Sequence, residues 1–151
     1  MGIDQDIQQT KFINEYQRAT INLIYTYGWM SERSKEFFAP EDITSQQFNI
    51  LRILRGSHPQ PLSTLQIRER MLDKMSDTSR IVDRLVAKGL VKKGTCKEDR
   101  RLVDVLITEK GKKLLERLDV RQQEMDDILS NLTKKEATTL SDLLDKIRGN
   151  K

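Results

Sequence analysis

Ser76, Asp77, Ser79, Arg80 and Arg84 fall within one short stretch of helical periodicity. Small hydroxyls and a carboxylate followed by arginines are the mixture that reads base edges in a DNA major groove. A guanidinium offers a fork of donors that matches guanine O6 and N7, and Arg80 is the first candidate for it, at roughly 1–3 kcal/mol of discrimination. Arg84 is a candidate for the same groove or for phosphate. Asp77 is repelled by phosphates unless it accepts from a cytosine N4 amine or caps the helix start. A second group, Lys97, Asp99, Arg100 and Arg101, lies between two short apolar runs. Asp99 and Arg101 are two residues apart, so on extended backbone they project to one side and the carboxylate can brace the guanidinium. Lys97 and Arg100 are placed to meet phosphates. A third group, Thr44, Ser45, Ser63 and Thr64, marks two helix starts, where hydroxyls and free N–H groups can hold a phosphate. The plainer alternatives are a solvated helix face, a charged hairpin turn and simple N-caps.

Something must position these groups. Phe12, Tyr16, Ala19, Leu23, Tyr27 and Met30 recur at steps of three and four, which predicts a long first helix ended by Pro40. Thr44 with Gln47 and Ser63 with Gln66 are capping-box pairs that open a second, buried helix and a short third one. Asp73 is expected to cap a fourth helix running to Lys88 and stopping at Gly89, with Thr78, Ile81, Val82, Leu85 and Val86 inward. Ser76, Asp77, Arg80, Arg84 and Lys88 then face outward. Leu90–Thr95 and Leu102–Ile107 read as a β-hairpin with a charged tip. Thr108 opens a helix whose spacing continues through Leu114, Leu118, Met125, Leu129 and Leu132. Thr133 with Glu136 opens the last helix, which buries Leu140, Leu143, Leu144 and Ile147. Two short helices, a tight link and a hairpin outline a winged helix-turn-helix, mostly α with a small β wing.

The 151 residues carry 27 Lys+Arg and 23 Asp+Glu, a net charge of +4. Residues 66–121 hold 16 basic and 10 acidic residues, net +6, leaving 11 and 13, net −2, elsewhere. A basic middle between acidic ends suits a polyanion on one face. One cysteine excludes a disulfide framework, and one cysteine with one histidine leaves no zinc cluster. No membrane span, signal peptide or glycine-rich phosphate loop is legible, and no nucleophile–base pair suggests an enzyme. A cytoplasmic protein without cofactor or metal is expected.

Three blocks in fixed order, SRIVDRLVAKGLV, KEDRR and ITEKG, lie within Leu62–Leu115. In this the sequence resembles the MarR (multiple antibiotic resistance regulator) family of transcription factors. The resemblance implies a homodimer on a pseudo-palindromic operator, acting as a repressor, with Arg101 inserted into the minor groove. It divides the single domain into a DNA-binding part at about 42–110 and dimerisation helices at about 8–38 and 110–148. Those outer helices carry apolar stripes that need a partner surface. Relatives bind small aromatic effectors in a cleft beside these helices, and Tyr16, Tyr27, Trp29, Phe37 and His58 are the candidate lining here, unless they are core. Cys96, close to Lys93, Lys97, Arg100 and Arg101, offers an alternative redox response. A winged helix that contacts protein and has no operator is the other alternative.

Overall fold

The computed structural model describes residues 2–95 and 103–149. Its order is α1 (Ile3–Asp6), α2 (Glu15–Phe38), a 3-10 turn (Ala39–Glu41), α3 (Ser45–Ser57), β1 (Leu62–Ser63), α4 (Thr64–Arg70) and α5 (Thr78–Ala87). Then follow β2 (Val91–Thr95), β3 (Val103–Ile107), α6 (Glu109–Val120), α7 (Gln122–Asp126), a 3-10 turn (Asp127–Leu129) and α8 (Lys134–Ile147). The expected class holds: a mostly helical winged helix-turn-helix.

Local chemistry sets most boundaries. The capping boxes Thr44/Gln47, Ser63/Gln66 and Thr133/Glu136 all form with both reciprocal bonds. Gly89 takes φ +74°, and its amide donates to the Val86 carbonyl at 2.9 Å while the Leu90 amide donates to Leu85 at 3.0 Å. That pair of bonds is a Schellman stop, which the left-handed glycine permits.

The core lies in the winged helix and at its joins. Ile50, Leu51 and Leu54 of α3 meet Ile67 of α4, Val82 and Leu85 of α5, Val105 and Ile107 of β3, and Leu115 and Leu118 of α6. Phe37 and Phe38 bring in the end of α2, with Phe38 against Phe48 at 4.7 Å between ring centres.

Four expectations need correction. The fourth helix starts at Thr78, not after Asp73, and ends at Ala87. The expected antiparallel pairing of β2 with β3 forms, but the wing gains a third strand and is ordered β1-β3-β2, because Leu62–Ser63 adds to β3 with Leu62 opposite Val105. The segment after Thr108 is not one continuous helix: it breaks at Arg121, where φ is −97° and ψ 13°. The long first helix begins after Asn14, whose side chain caps it, so Phe12 precedes it.

The apolar stripes of α2 and α8 remain uncovered in the single chain. Tyr16 is 84% and Tyr27 72% exposed, and Leu140, Leu143 and Ile147 are exposed, not buried as their spacing suggested. Among the described residues no helix is long and apolar enough to cross a membrane.

Candidate nucleic-acid interface

The link between α4 and α5 is held by its own bonds. The Leu72 amide donates to Asn49 Oδ1 at 2.8 Å, and the Met75 amide to Asp73 Oδ1 at 2.9 Å. The Ser76 hydroxyl donates to the Asp73 carbonyl at 2.6 Å. Asp73 is thus spent on an Asx turn, and the helix cap passes to Asp77, whose Oδ1 accepts the Arg80 amide at 3.2 Å. Both acids stand ahead of an apolar-periodic run, which is why sequence spacing could not choose between them.

On α5 the face formed by Thr78, Val82 and Leu85 is buried. The Thr78 hydroxyl is buried without a hydrogen-bond partner. Opposite lie Ser79, Arg80, Asp83 and Arg84, all exposed. Among the described residues neither Arg80 nor Arg84 pairs with a carboxylate. Lys88 departs from the outward set. Its Nζ turns back to the Asp42 carbonyl and lies 3.7 Å from the Asp42 carboxylate, while its own carbonyl accepts from Lys110 Nζ at 2.9 Å.

A groove of about 610 Å³ runs beside the start of α5. Thr64, Leu65 and Arg68 of α4, residues Ser76 to Ser79, and Val103 of β3 line it. The fold therefore gathers Thr64, Ser76, Asp77 and Ser79, and adds Arg68, which the sequence patterns did not single out. Ser63 is buried, and its hydroxyl is committed to the Gln66 amide at 3.1 Å. Thr44 and Ser45 line a different cavity of about 500 Å³ together with Lys35, Asp42 and Lys88. That cavity includes Lys88 at the far end of α5, about 15 Å along the helix from Thr78. These two hydroxyls are therefore not part of the groove.

The described part of the wing touches α5 through charge. Lys93 Nζ of β2 lies 2.5 Å from Asp83 Oδ1. Spacing from the buried stripe could have flagged Asp83 as groove-facing, but no sequence signal joins it to Lys93. Lys97, Asp99, Arg100, Arg101 and Cys96 lie outside the described residues.

Behind the interface, paired charges tie α6 to the winged helix. Arg117 donates through Nε and Nη2 to Glu41 at 2.9 and 2.8 Å, and Arg55 Nη1 donates to Asp119 at 2.7 Å. The Arg117 hydrogen bonds hold the Glu41 carboxyl below the usual carboxylate range.

The five aromatic-pocket candidates do not meet within one chain. Tyr16 and Phe37 lie on the same helix about 30 Å apart. Tyr16 and Tyr27 face solvent, and the Arg33 guanidinium covers Trp29 at 3.6 Å. Phe37 is core beneath Arg121, and His58 is exposed at the end of α3. Among the described residues no cluster of three or more His, Cys, Asp or Glu is placed to hold a metal ion.

The sequence profile of the MarR family matches residues 43–103. Over 114 residues, 74% of this chain and 78% of the relative, the sequence is 31% identical to the multiple antibiotic resistance protein MarR of Escherichia coli K12. The fold superposes on a cysteine-to-serine mutant of E. coli MarR complexed with operator DNA, with TM-score 0.80 and 26% identity, covering 91% of this chain and 99% of that one. An organohalide-sensing transcriptional regulator in its 2,4-dichlorophenol-bound form has the same fold, with TM-score 0.81 at 17% identity over 91% of this chain and 81% of that one.

Proposed function

The chain belongs to the MarR family and is a non-enzymatic DNA-binding transcriptional regulator, and from that premise we propose that it is a homodimeric repressor of a pseudo-palindromic operator. The observation that carries this reading is the outer face of α5: two exposed arginines without carboxylate partners among the described residues, on the helix whose first residues, Thr78 and Ser79, line a groove with α4 and β3. Arg80 takes guanine, Ser76 and Ser79 approach neighbouring base edges beside Asp77, which holds the start of the helix as its cap, and Arg84 takes a base or a phosphate. Thr64 and Ser63 stand at the N-terminus of α4, where Thr64 offers a hydroxyl to phosphate and Ser63 acts through its cap. Lys97 and Arg100 add phosphate contacts, and Arg101, braced by Asp99, enters the minor groove. Thr44 and Ser45, at the opposite end of α5, hold a phosphate only if the duplex bends to meet them.

Residues 42–110 do the reading, while 8–38 and 110–148 pair two copies. The uncovered stripes of α2 and α8 support this, because a second copy removes them from water. Two-fold pairing then sets two α5 helices about 34–36 Å apart, one turn of duplex. The regulator that senses organohalides holds 2,4-dichlorophenol. A small aromatic effector is proposed here as well, in a site where a partner's helix brings Tyr16 and Tyr27 towards Trp29 and His58, with Phe37 left in the core. The working compartment is the cytoplasm.

Selection of duplexes from a random pool by the purified chain at near-physiological salt tests the reading. A two-fold symmetric motif is the expected result. Retention without a motif, or no retention, overturns it in favour of non-specific binding or of a protein-contact role.

A further inference from the structure

Asp83 is the one acid in the middle of the exposed face of α5. It lies three residues after Arg80 and four before Ala87, so it shares their side of the helix, opposite the buried Thr78, Val82 and Leu85. A carboxylate there is repelled by every phosphate that approaches, and its side chain is 62% exposed. What it does touch is Lys93 of the wing strand β2, at 2.5 Å, a side chain 41% exposed. The pair joins the helix that would enter the major groove to the strand that leads into the wing.

We propose that Asp83 is a specificity-determining residue that reads cytosine, with Lys93 as its counter-charge until DNA is bound. This rests on the operator-reading function above. In the free chain the ammonium neutralises the carboxylate. Against a duplex the phosphates compete for Lys93, and the freed carboxylate is left acceptor-only in the groove. Guanine and thymine present acceptors or a methyl group there. Adenine sets the N7 acceptor beside its N6 donor, which repels the second oxygen. Cytosine N4 offers a donor with the apolar C5–H edge on one side and only the paired guanine O6 on the other, so it suits the group better than any other base. A sequence without cytosine at that step leaves the carboxylate unpaired or closed on Lys93, and the lysine is lost to the backbone. The exchange couples base identity to one phosphate contact.

Random-pool selection with the full-length chain, Asp83→Ala, Asp83→Asn and Lys93→Met tests this, alongside the salt dependence of binding to the selected duplex. The wild type should enrich cytosine at one step of each half-site by about tenfold. In Asp83→Ala that preference should fall below about threefold with the other positions unchanged. Asp83→Asn should move it towards adenine, whose N6 and N7 match a carboxamide. Lys93→Met should flatten the slope of log affinity on log salt by about 0.9 per protomer. If Asp83→Ala selects the wild-type motif, Asp83 is only the partner of Lys93 and the inference fails while the operator function stands. If the wild type selects no motif, the operator function itself fails. Matching far-ultraviolet circular dichroism and urea midpoints separate either result from misfolding.

Discussion

Asp77 bears two loads at the mouth of the groove, a helix cap and a negative charge on the face proposed to meet DNA, and two substitutions separate them. Asp77→Ala removes the acceptor for the Arg80 amide and should lower stability by about 1 kcal/mol in urea titration. Asp77→Asn keeps an acceptor of equal capping quality, so the urea midpoint should hold while affinity for duplexes of any sequence rises. A fall in affinity with Asp77→Asn would make the carboxylate a base contact. Glu41 gives the molecule an acid dependence of known sign. Its folded pKa lies below the ordinary value of 4.5 because of Arg117, so its contribution is whole above about pH 4.5 and drains away as pH falls through the folded value. Below about pH 4.5 the wild type should therefore lose stability more steeply than Glu41→Gln in urea unfolding at stepped pH. Parallel curves would show that the pair adds nothing, as is common for exposed ion pairs. At this scale the sequence is legible wherever an interaction is local. The Thr44, Ser63 and Thr133 boxes span three residues each and form as their spacing implies. The Asp83–Lys93 and Glu41–Arg117 pairs are set by tertiary approach and have no local signature.

At the scale of elements, the tightest junction is where β3 hands over to α6. Gly111 sits one turn into that helix, and a methyl group there would lie 2.4 Å from the Leu90 carbonyl and 2.7 Å from Ile107 Cγ1. Backbone cannot give way as a flexible side chain does, so Gly111→Ala should destabilise the fold by about 1–3 kcal/mol in thermal or urea unfolding. A loss under about 0.5 kcal/mol would mean that the wing root shifts freely. The glycine of the ITEKG block is thereby explained by close approach, a reason its sequence context alone does not disclose. The break at Arg121 is hidden differently. Leu118, Met125, Leu129 and Leu132 keep helical spacing across it, so periodicity persists while the backbone turns. β1 is invisible for the opposite reason: two residues carry no period, and Leu62–Ser63 becomes a strand only because β3 lies beside it.

For the whole molecule, the decisive feature is that the core fills the winged helix and leaves the long helix bare except at its end, where Phe37 and Phe38 are buried. Ile24 is 70% exposed on α2. In a monomer Ile24→Glu would be a harmless surface change. In the dimer proposed here it places a charge in an apolar interface, and sedimentation should show a shift from two copies to one. The melting temperature of the wild type should also rise with protein concentration, as mass action requires when folding and pairing are linked. A single-copy wild type with a concentration-independent midpoint would remove the two-fold operator with it. The apolar stripe on α2 was legible in sequence because three-and-four spacing survives without any knowledge of what covers it. Which residues would cover it was not legible, since spacing within one chain carries no information about a surface outside it.

The position of that stripe along the chain has a further consequence, in the timing of synthesis. Residues 15–38 leave the ribosome before residues 43–118, which supply most of the buried cluster. For the first part of its life the nascent polypeptide displays Tyr16, Ile24 and Tyr27 with nothing of its own to bury them. Neighbouring ribosomes on one message hold identical copies of this segment close together, so the stripe proposed to pair finished subunits exposes unfinished ones to premature association. A slowly translated or crowded message should therefore yield more aggregate, and a solubilising substitution on α2 should raise soluble yield while lowering the fraction that assembles.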